Sequence, residues 1–201
     1  MARENYPTGN DVAALLSDAG LTYSGLDANS AALAGRERVE SETGRVFLAV
    51  AGTRVFDPPT GWNGVLDLGA DLLSLTSISY DGTAFAAGTD YRLVGSAPHS
   101  LIRFARRWSA PLPFSLMDSV SIVGVWGYGT SLPEEVWQAM RAAAVLSLLP
   151  AIERGLTGGL IEWADEDTRE KYGDDPLGTL AAGWQSSVDG VLSRYRRVAV
   201  G

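Results

Sequence analysis

The chain has 201 residues, a formal net charge of −8 and no cysteine, with 46% hydrophobic and 20% charged residues. This is globular composition. It excludes disulfide staples, Cys-based zinc sites and thiol catalysis, and the acidic balance argues against non-specific phosphate binding as the main task. The opening MARENYPTGNDV lacks the apolar core of a signal peptide, and no apolar run reaches the roughly 18 residues of a membrane span. The chain therefore reads as soluble and intracellular, with no membrane partner.

In chain order, the first helix is predicted over residues 11–19, with Asn10 as N-cap and Gly20 as stop. Residues 21–26 connect it to a second helix over about 29–45. The first half of that helix, ANSAALAG, is small and apolar; the second half, RERVESETGR, is charged, and Gly44 closes it. VFLAVAGTRVF (46–56) is β-prone and DPPTGWNG (57–64) is a breaker cluster. From 65 to 128 short extended runs alternate with turns, the candidate strands being 74–80, 91–94, 100–106 and 119–126. In SVSIVGVW, Val120 and Ile122 share one face at period two, extended by Gly124 and Trp126. Asp81-Gly82 predicts a tight primed hairpin turn, which needs positive φ at its centre. Four or more strands suffice for a small sheet or barrel with its own core.

Helix returns at SLPEEVWQAMRAAAVLSLLPAI (131–152). Ser131 and Glu134 have capping-box spacing, Pro133 suits the first turn, and Glu134 and Glu135 suit the positive helix end. From Ala142 onward the helix is apolar almost all round, as expected of one buried on several sides. Its alanine run admits a close neighbour, from this chain or from another copy. Residues 157–176 are acidic and aperiodic and read as an extended or irregular arm. A last helix follows Asp175 as cap and Pro176 in the first turn. Its stripe runs through Leu177, Leu180, Ala181, Trp184, Val188, Val191, Leu192 and Tyr195, with Arg194, Arg196 and Arg197 at its C-terminal end. The fold class is α+β. A small bundle of about four helices, 1–50 plus 129–201, carries an inserted antiparallel β lobe, 51–128, between the second and third main helices.

No catalytic constellation emerges. His99 is the single histidine, no G-x-S-x-G elbow accompanies it, and its place in SAPHS reads as a loop. Asp165, Glu166, Asp167, Glu170, Asp174 and Asp175 lack calcium-loop spacing and read as a solvated arm; a glycosidase pair among them is the weaker reading. The glycine-rich stretches lack a following lysine, so no phosphate loop is assigned. Trp62, Trp108 and Trp126 fall in or beside the β lobe, and Trp137, Trp163 and Trp184 in the helical part. Core or interface is favoured for them over sugar binding. Arg103, Arg106 and Arg107 read as a solvated or salt-bridged face rather than a nucleic-acid site. No cofactor, metal or catalytic residue is expected.

Three segments taken together, VESETGRVF (39–47), VWGYGTSLPEEVWQAMRAAAVLSLL (125–149) and GVLSRYRRV (190–198), resemble the head–tail connector (adaptor) proteins of long-tailed bacteriophages and related prophages. The likeness covers roughly residues 10–198 and is to the longer type with a β insertion of the DGTAF…GTDYRL kind. It implies a structural virion protein, made in the host bacterial cytoplasm, that forms a ring of twelve copies in the neck beneath the portal. Such a ring extends the DNA channel and gives a platform to the next neck or tail protein. Double-stranded DNA passes through it without specific binding, which the net negative charge suits. The family's closing motif docks on the portal; here it maps to Tyr195, Arg196 and Arg197. Arg194, Trp184, Trp163 and Tyr172 complete the portal or subunit interface candidates. The alternatives are another neck or tail component, a tail terminator or head-closure protein, which would be largely β, and less strongly a carbohydrate-binding module.

Overall fold

The computed structural model describes residues 3–21, 25–58, 64–105, 120–156 and 176–197. Four helices and one antiparallel sheet make an α+β fold, as the sequence predicts. The chain divides into two compact units. The first takes Met1–Thr43 and Leu132–Arg196, the second Gly44–Ser131 and Arg197–Gly201.

The first unit holds α1 (Gly9–Asp18), α2 (Ala28–Thr43), α3 (Glu134–Leu156) and α4 (Pro176–Tyr195). α1 starts earlier than its sequence suggests. Thr8, not Asn10, is the N-cap: the Asp11 carboxylate accepts the Thr8 backbone N–H at 2.7 Å and its hydroxyl at 2.6 Å. Asp11 does in that box what Glu or Gln does in the usual one. At the far end Gly20 donates to Ser17 O and Leu21 to Leu16 O, both at 2.9 Å, the paired closure of a Schellman stop. α2 begins one residue before the predicted start because Asp27 caps it, accepting the N–H groups of Asn29 and Ser30 at 3.0 Å. Pro133 stands just outside α3 rather than in its first turn, its carbonyl accepting the Trp137 N–H at 3.0 Å.

α3 is the unit's axis. Val136, Trp137, Ala139, Met140, Ala142, Ala143, Ala144, Val145 and Leu148 are all buried, and α1, α2 and α4 pack against it. The neighbour that the alanine run admits is α2 of this same chain. A Cβ on Gly35 would stand 2.6 Å from the Ala144 backbone nitrogen and 2.9 Å from the Ala144 Cβ. Only glycine there lets the two backbones approach so closely, which explains the small residues of ANSAALAG. Val12, Leu16, Ala31 and Ala32 fill the space beside Val145, Leu148, Leu149 and Ile152. Of the predicted α4 stripe, Val188, Val191 and Leu192 are buried, and Leu177, Leu180, Ala181 and Trp184 are half-buried.

The second unit is a sheet of β1 (Val50–Phe56), β2 (Val65–Tyr80), β3 (Thr83–Ala84), β4 (Tyr91–Val94), β5 (His99–Phe104) and β6 (Val120–Trp126), in the order β1-β6-β2-β5-β4 with β3 on β2. β2 is the backbone of the lobe and twice as long as its sequence suggests. Its first half pairs with β5 and its second with β6, with register shifts between Asp67 and Leu72 and again past Leu72 and Leu75. These irregularities hide the strand, because they interrupt the period-two pattern that would reveal it. β6 alternates as expected: Val120, Ile122, Gly124 and Trp126 are buried and the residues between them half-buried. Asp81 (φ 45°) and Gly82 (φ 75°) form the expected turn between β2 and β3. Leu66, Leu68, Leu72, Ile78, Tyr91, Ile102 and Phe104 join the β6 face in one core. Each such fully buried aliphatic or aromatic side chain contributes roughly 1.5–3 kcal/mol.

Several expectations lie outside the described residues: most of the breaker cluster, Trp62, Arg106, Arg107 and Trp108, and the acidic arm with Trp163, Tyr172 and the cap Asp175.

Candidate assembly surfaces

Within the first unit, the start of α3 gathers partners from two other places in the chain, the N-terminal segment and the end of α4. Glu134 accepts from Arg3 Nε at 3.0 Å and from Gln138 Nε2 at 2.9 Å. Glu135 accepts the Tyr195 hydroxyl at 2.6 Å and an ion pair from Arg194, so the last turn of α4 is tied to the first turn of α3. The Tyr195 hydroxyl and then Arg194 hold the Glu135 carboxyl below the usual carboxylate range. Arg3 and Gln138 do the same to Glu134. Carboxylates at this end also favour the helix dipole. Trp137, buried, receives two guanidinium groups, Arg3 at 4.2 Å and Arg141 at 4.6 Å from its ring centroid.

Three of the sequence-predicted interface residues are thus engaged in the chain's own structure. Arg194 and Tyr195 bind Glu135, and Trp184 packs against the helical core. Arg197, in the second unit, donates to Asp67 Oδ1 at 3.1 Å and has a side chain only 14% exposed. Arg196 is exposed. Trp163 and Tyr172 lie outside the described residues.

The second unit contains a buried ion pair that sequence reasoning missed. Arg45 Nη1 reaches both carboxylate oxygens of Asp71, at 2.7 and 2.8 Å, and its guanidinium lies 5.2 Å from the Tyr128 ring centroid. The Asp71 side chain is 3% exposed, and its backbone carbonyl accepts the Gly127 N–H at 2.8 Å. An aspartate inside LGADLLSL, an otherwise apolar run, is the one sequence signal for it, since a buried carboxylate needs a partner.

His99 opens β5 rather than sitting in a loop, its Nδ1 3.2 Å from the Val94 carbonyl. Among the described residues no three of His, Asp or Glu gather to hold a metal ion, and no helix is long and apolar enough to cross a membrane. Trp126 and Trp137 are core residues; Trp126 donates to Gly52 O at 3.0 Å and packs on Phe56. Neither offers a ring to a sugar. Arg103 is exposed on β5.

Among solved structures, the chain is similar to one in the neck of a native GTA particle computed with C12 symmetry, at 18% identity and a TM-score of 0.51. It is also similar to one in the neck of an empty GTA particle computed with C6 symmetry, at 20% identity and a TM-score of 0.53. In both cases 100% of this chain and 97% of the other are covered. A chain from the virion of a native gene transfer agent (GTA) particle matches over the same shares at 19% identity and a TM-score of 0.49. No family model and no curated protein matches the sequence. At these identities the first two likenesses show a shared fold and nothing finer.

Proposed function

We propose that this chain is a structural, non-enzymatic protein of the neck of a phage-like virion: a head–tail connector that forms a ring of twelve copies beneath the portal. The observation that carries the reading is the fold shared end to end with chains from necks computed with C12 and C6 symmetry. A tail terminator or head-closure protein would be largely β, whereas here four helices of 10, 16, 23 and 20 residues accompany the sheet. The ring extends the channel through which double-stranded DNA passes without specific contact, and it gives the next neck or tail protein its platform. Residues 1–50 with 129–201 act as the connector core, and 51–128 as a lobe inserted into it.

In this reading the C-terminal segment meets the portal. Arg194, Tyr195 and Arg197 fix the course of the chain through Glu135 and Asp67, and Arg196 remains exposed for the partner. Trp184, with Trp163 and Tyr172, contributes to the portal or subunit contacts. The test is co-sedimentation of the full chain with portal rings of the same particle. Wild type co-sediments stoichiometrically. Arg196→Glu weakens binding at least tenfold while leaving the circular dichroism spectrum unchanged. Portal binding by Arg196→Glu equal to wild type would remove the C-terminal segment from the interface, and no binding by wild type would remove the connector reading.

A further inference from the structure

The two edges of the sheet are treated differently. At one edge, β4 is four residues long, and the turn before it folds back on it: Gly88 N–H donates to the Tyr91 carbonyl at 2.8 Å, and Ala87 bridges Tyr91. That is a blunted edge of the kind soluble proteins use to prevent strand addition. At the other edge, β1 is seven residues long and pairs with β6 along its whole length, and among the described residues no strand pairs with its far side. Five of its residues are exposed, Val50 and Val55 by 66% and 64%. Its single charge, Arg54, does not guard the edge, because the guanidinium lies 4.5 Å over the Trp126 ring. A bare, apolar, regular edge strand is a template for another strand.

The strand's own sequence says which strand fits. Opposed residues in antiparallel pairs must point to the same face, so a strand pairing with its own copy can centre only on a residue. The register that uses all seven residues of VAGTRVF centres on Thr53. It sets Thr53 against Thr53, Val50 against Phe56 and Ala51 against Val55. It also sets Arg54 against Gly52, so the two arginines avoid direct opposition, which would be destabilising. Shifting the centre to Arg54 would oppose the two charges and leave residues unpaired.

We propose that two copies of this chain pair through β1, antiparallel about Thr53, joining their sheets edge to edge. This inference does not rest on the neck reading. Ring neighbours in a cyclic assembly meet through two different faces, whereas this contact uses the same face twice and closes on itself. It is therefore a state of the free protein, which covers the open edge until assembly.

The experiment is native mass spectrometry of the purified full chain at micromolar concentration, with two variants. Wild type runs at twice the chain mass. Val55→Lys, an exposed position, places a lysine opposite Ala51 of the other copy and shifts the protein to monomer without altering its circular dichroism. Thr53→Cys tests the register. The native sequence has no cysteine, and opposed Cα atoms stand about 4.5–5.5 Å apart, within disulfide reach. Under mild oxidation Thr53→Cys gives mostly covalent dimer, whereas Val46→Cys, exposed but outside β1, does not. A monomeric wild type whose Thr53→Cys variant oxidises no faster than Val46→Cys overturns the proposal. So does a dimer that survives Val55→Lys and leaves Thr53→Cys uncrosslinked. Portal binding by the monomeric Val55→Lys variant would leave the connector reading standing alone, so the two claims fail separately.

Discussion

The helical unit and the β unit solve the problem of burial in opposite ways. The helical unit closes its core with small residues, Ala31, Ala32, Gly35 and Ala142–Ala144, which bring backbones together. Its ion pairs are at least partly exposed and lie along α2 and at the start of α3. The β unit fills its core with large side chains, Leu72, Ile78, Phe104 and Trp126, yet buries a carboxylate, Asp71, and answers it with Arg45. Sensitivity to mutation follows from the difference. The helical unit fails by overfilling, because its contacts are backbone to backbone. The β unit fails by losing a partner, because its most demanding group is a charge.

The largest effect expected is that of Arg45→Ala. It strands the Asp71 carboxylate in the core, at a cost of about 3–5 kcal/mol. Urea denaturation followed by circular dichroism reads it, and the double variant Arg45→Met with Asp71→Leu should recover much of the loss. A cost below about 1 kcal/mol for Arg45→Ala would mean that water reaches Asp71 and that the contrast between units is wrong.

Next is Gly35→Ala. Its methyl group would press on the Ala144 backbone, which cannot move aside as a flexible side chain could, so we expect roughly 1–3 kcal/mol of destabilisation. Gly183→Ala, in α4 with open space around the added carbon, is expected to stabilise instead, by about 0.5–1 kcal/mol. Thermal unfolding of the two variants side by side checks the sign difference.

The smallest effect belongs to the surface. Glu135→Gln removes the ion pair with Arg194 and weakens the hydrogen bond from Tyr195, at a cost of less than about 1 kcal/mol. Its pH dependence is more informative. The Glu135 carboxyl is held low by Tyr195 and Arg194, so its contribution is complete above the unfolded carboxylate value of about 4.3. It is lost as pH falls through the lower folded value. In Glu135→Gln that part of the acid sensitivity should disappear. An acid limb identical to that of wild type would show that the tie contributes nothing.

How much of this was readable in advance depended on range along the chain. Short-range signals held: the Asp81-Gly82 turn, the alternation of β6, the stop at Gly20 and the burial of α3 on several sides are written in neighbouring residues, although Ser147 and Pro150 keep one face of that helix exposed. The N-cap of α1 went to Thr8 because Thr-x-x-Asp completes a box that Asn10 cannot. β2 hid behind its bulges, and LDLGADLL has no period two to show. Long-range partners were unreadable in kind. Nothing beside Arg194 or Tyr195 in the sequence points to Glu135, some sixty residues away, so their tie to the start of α3 is visible only in the fold. Trp184 is half-buried against the helical core, and an amphipathic stripe alone does not divide such a side chain between the chain's own core and another subunit.

The measurement that bears most directly on the neck reading is electron microscopy of the full chain mixed with portal rings of the same particle, supported by native mass spectrometry of the complex. The account predicts a closed ring of this chain stacked on one face of the portal, coaxial with its channel. Portal rings left bare at saturating concentrations of a folded chain, or carrying scattered copies with no cyclic arrangement, would contradict it.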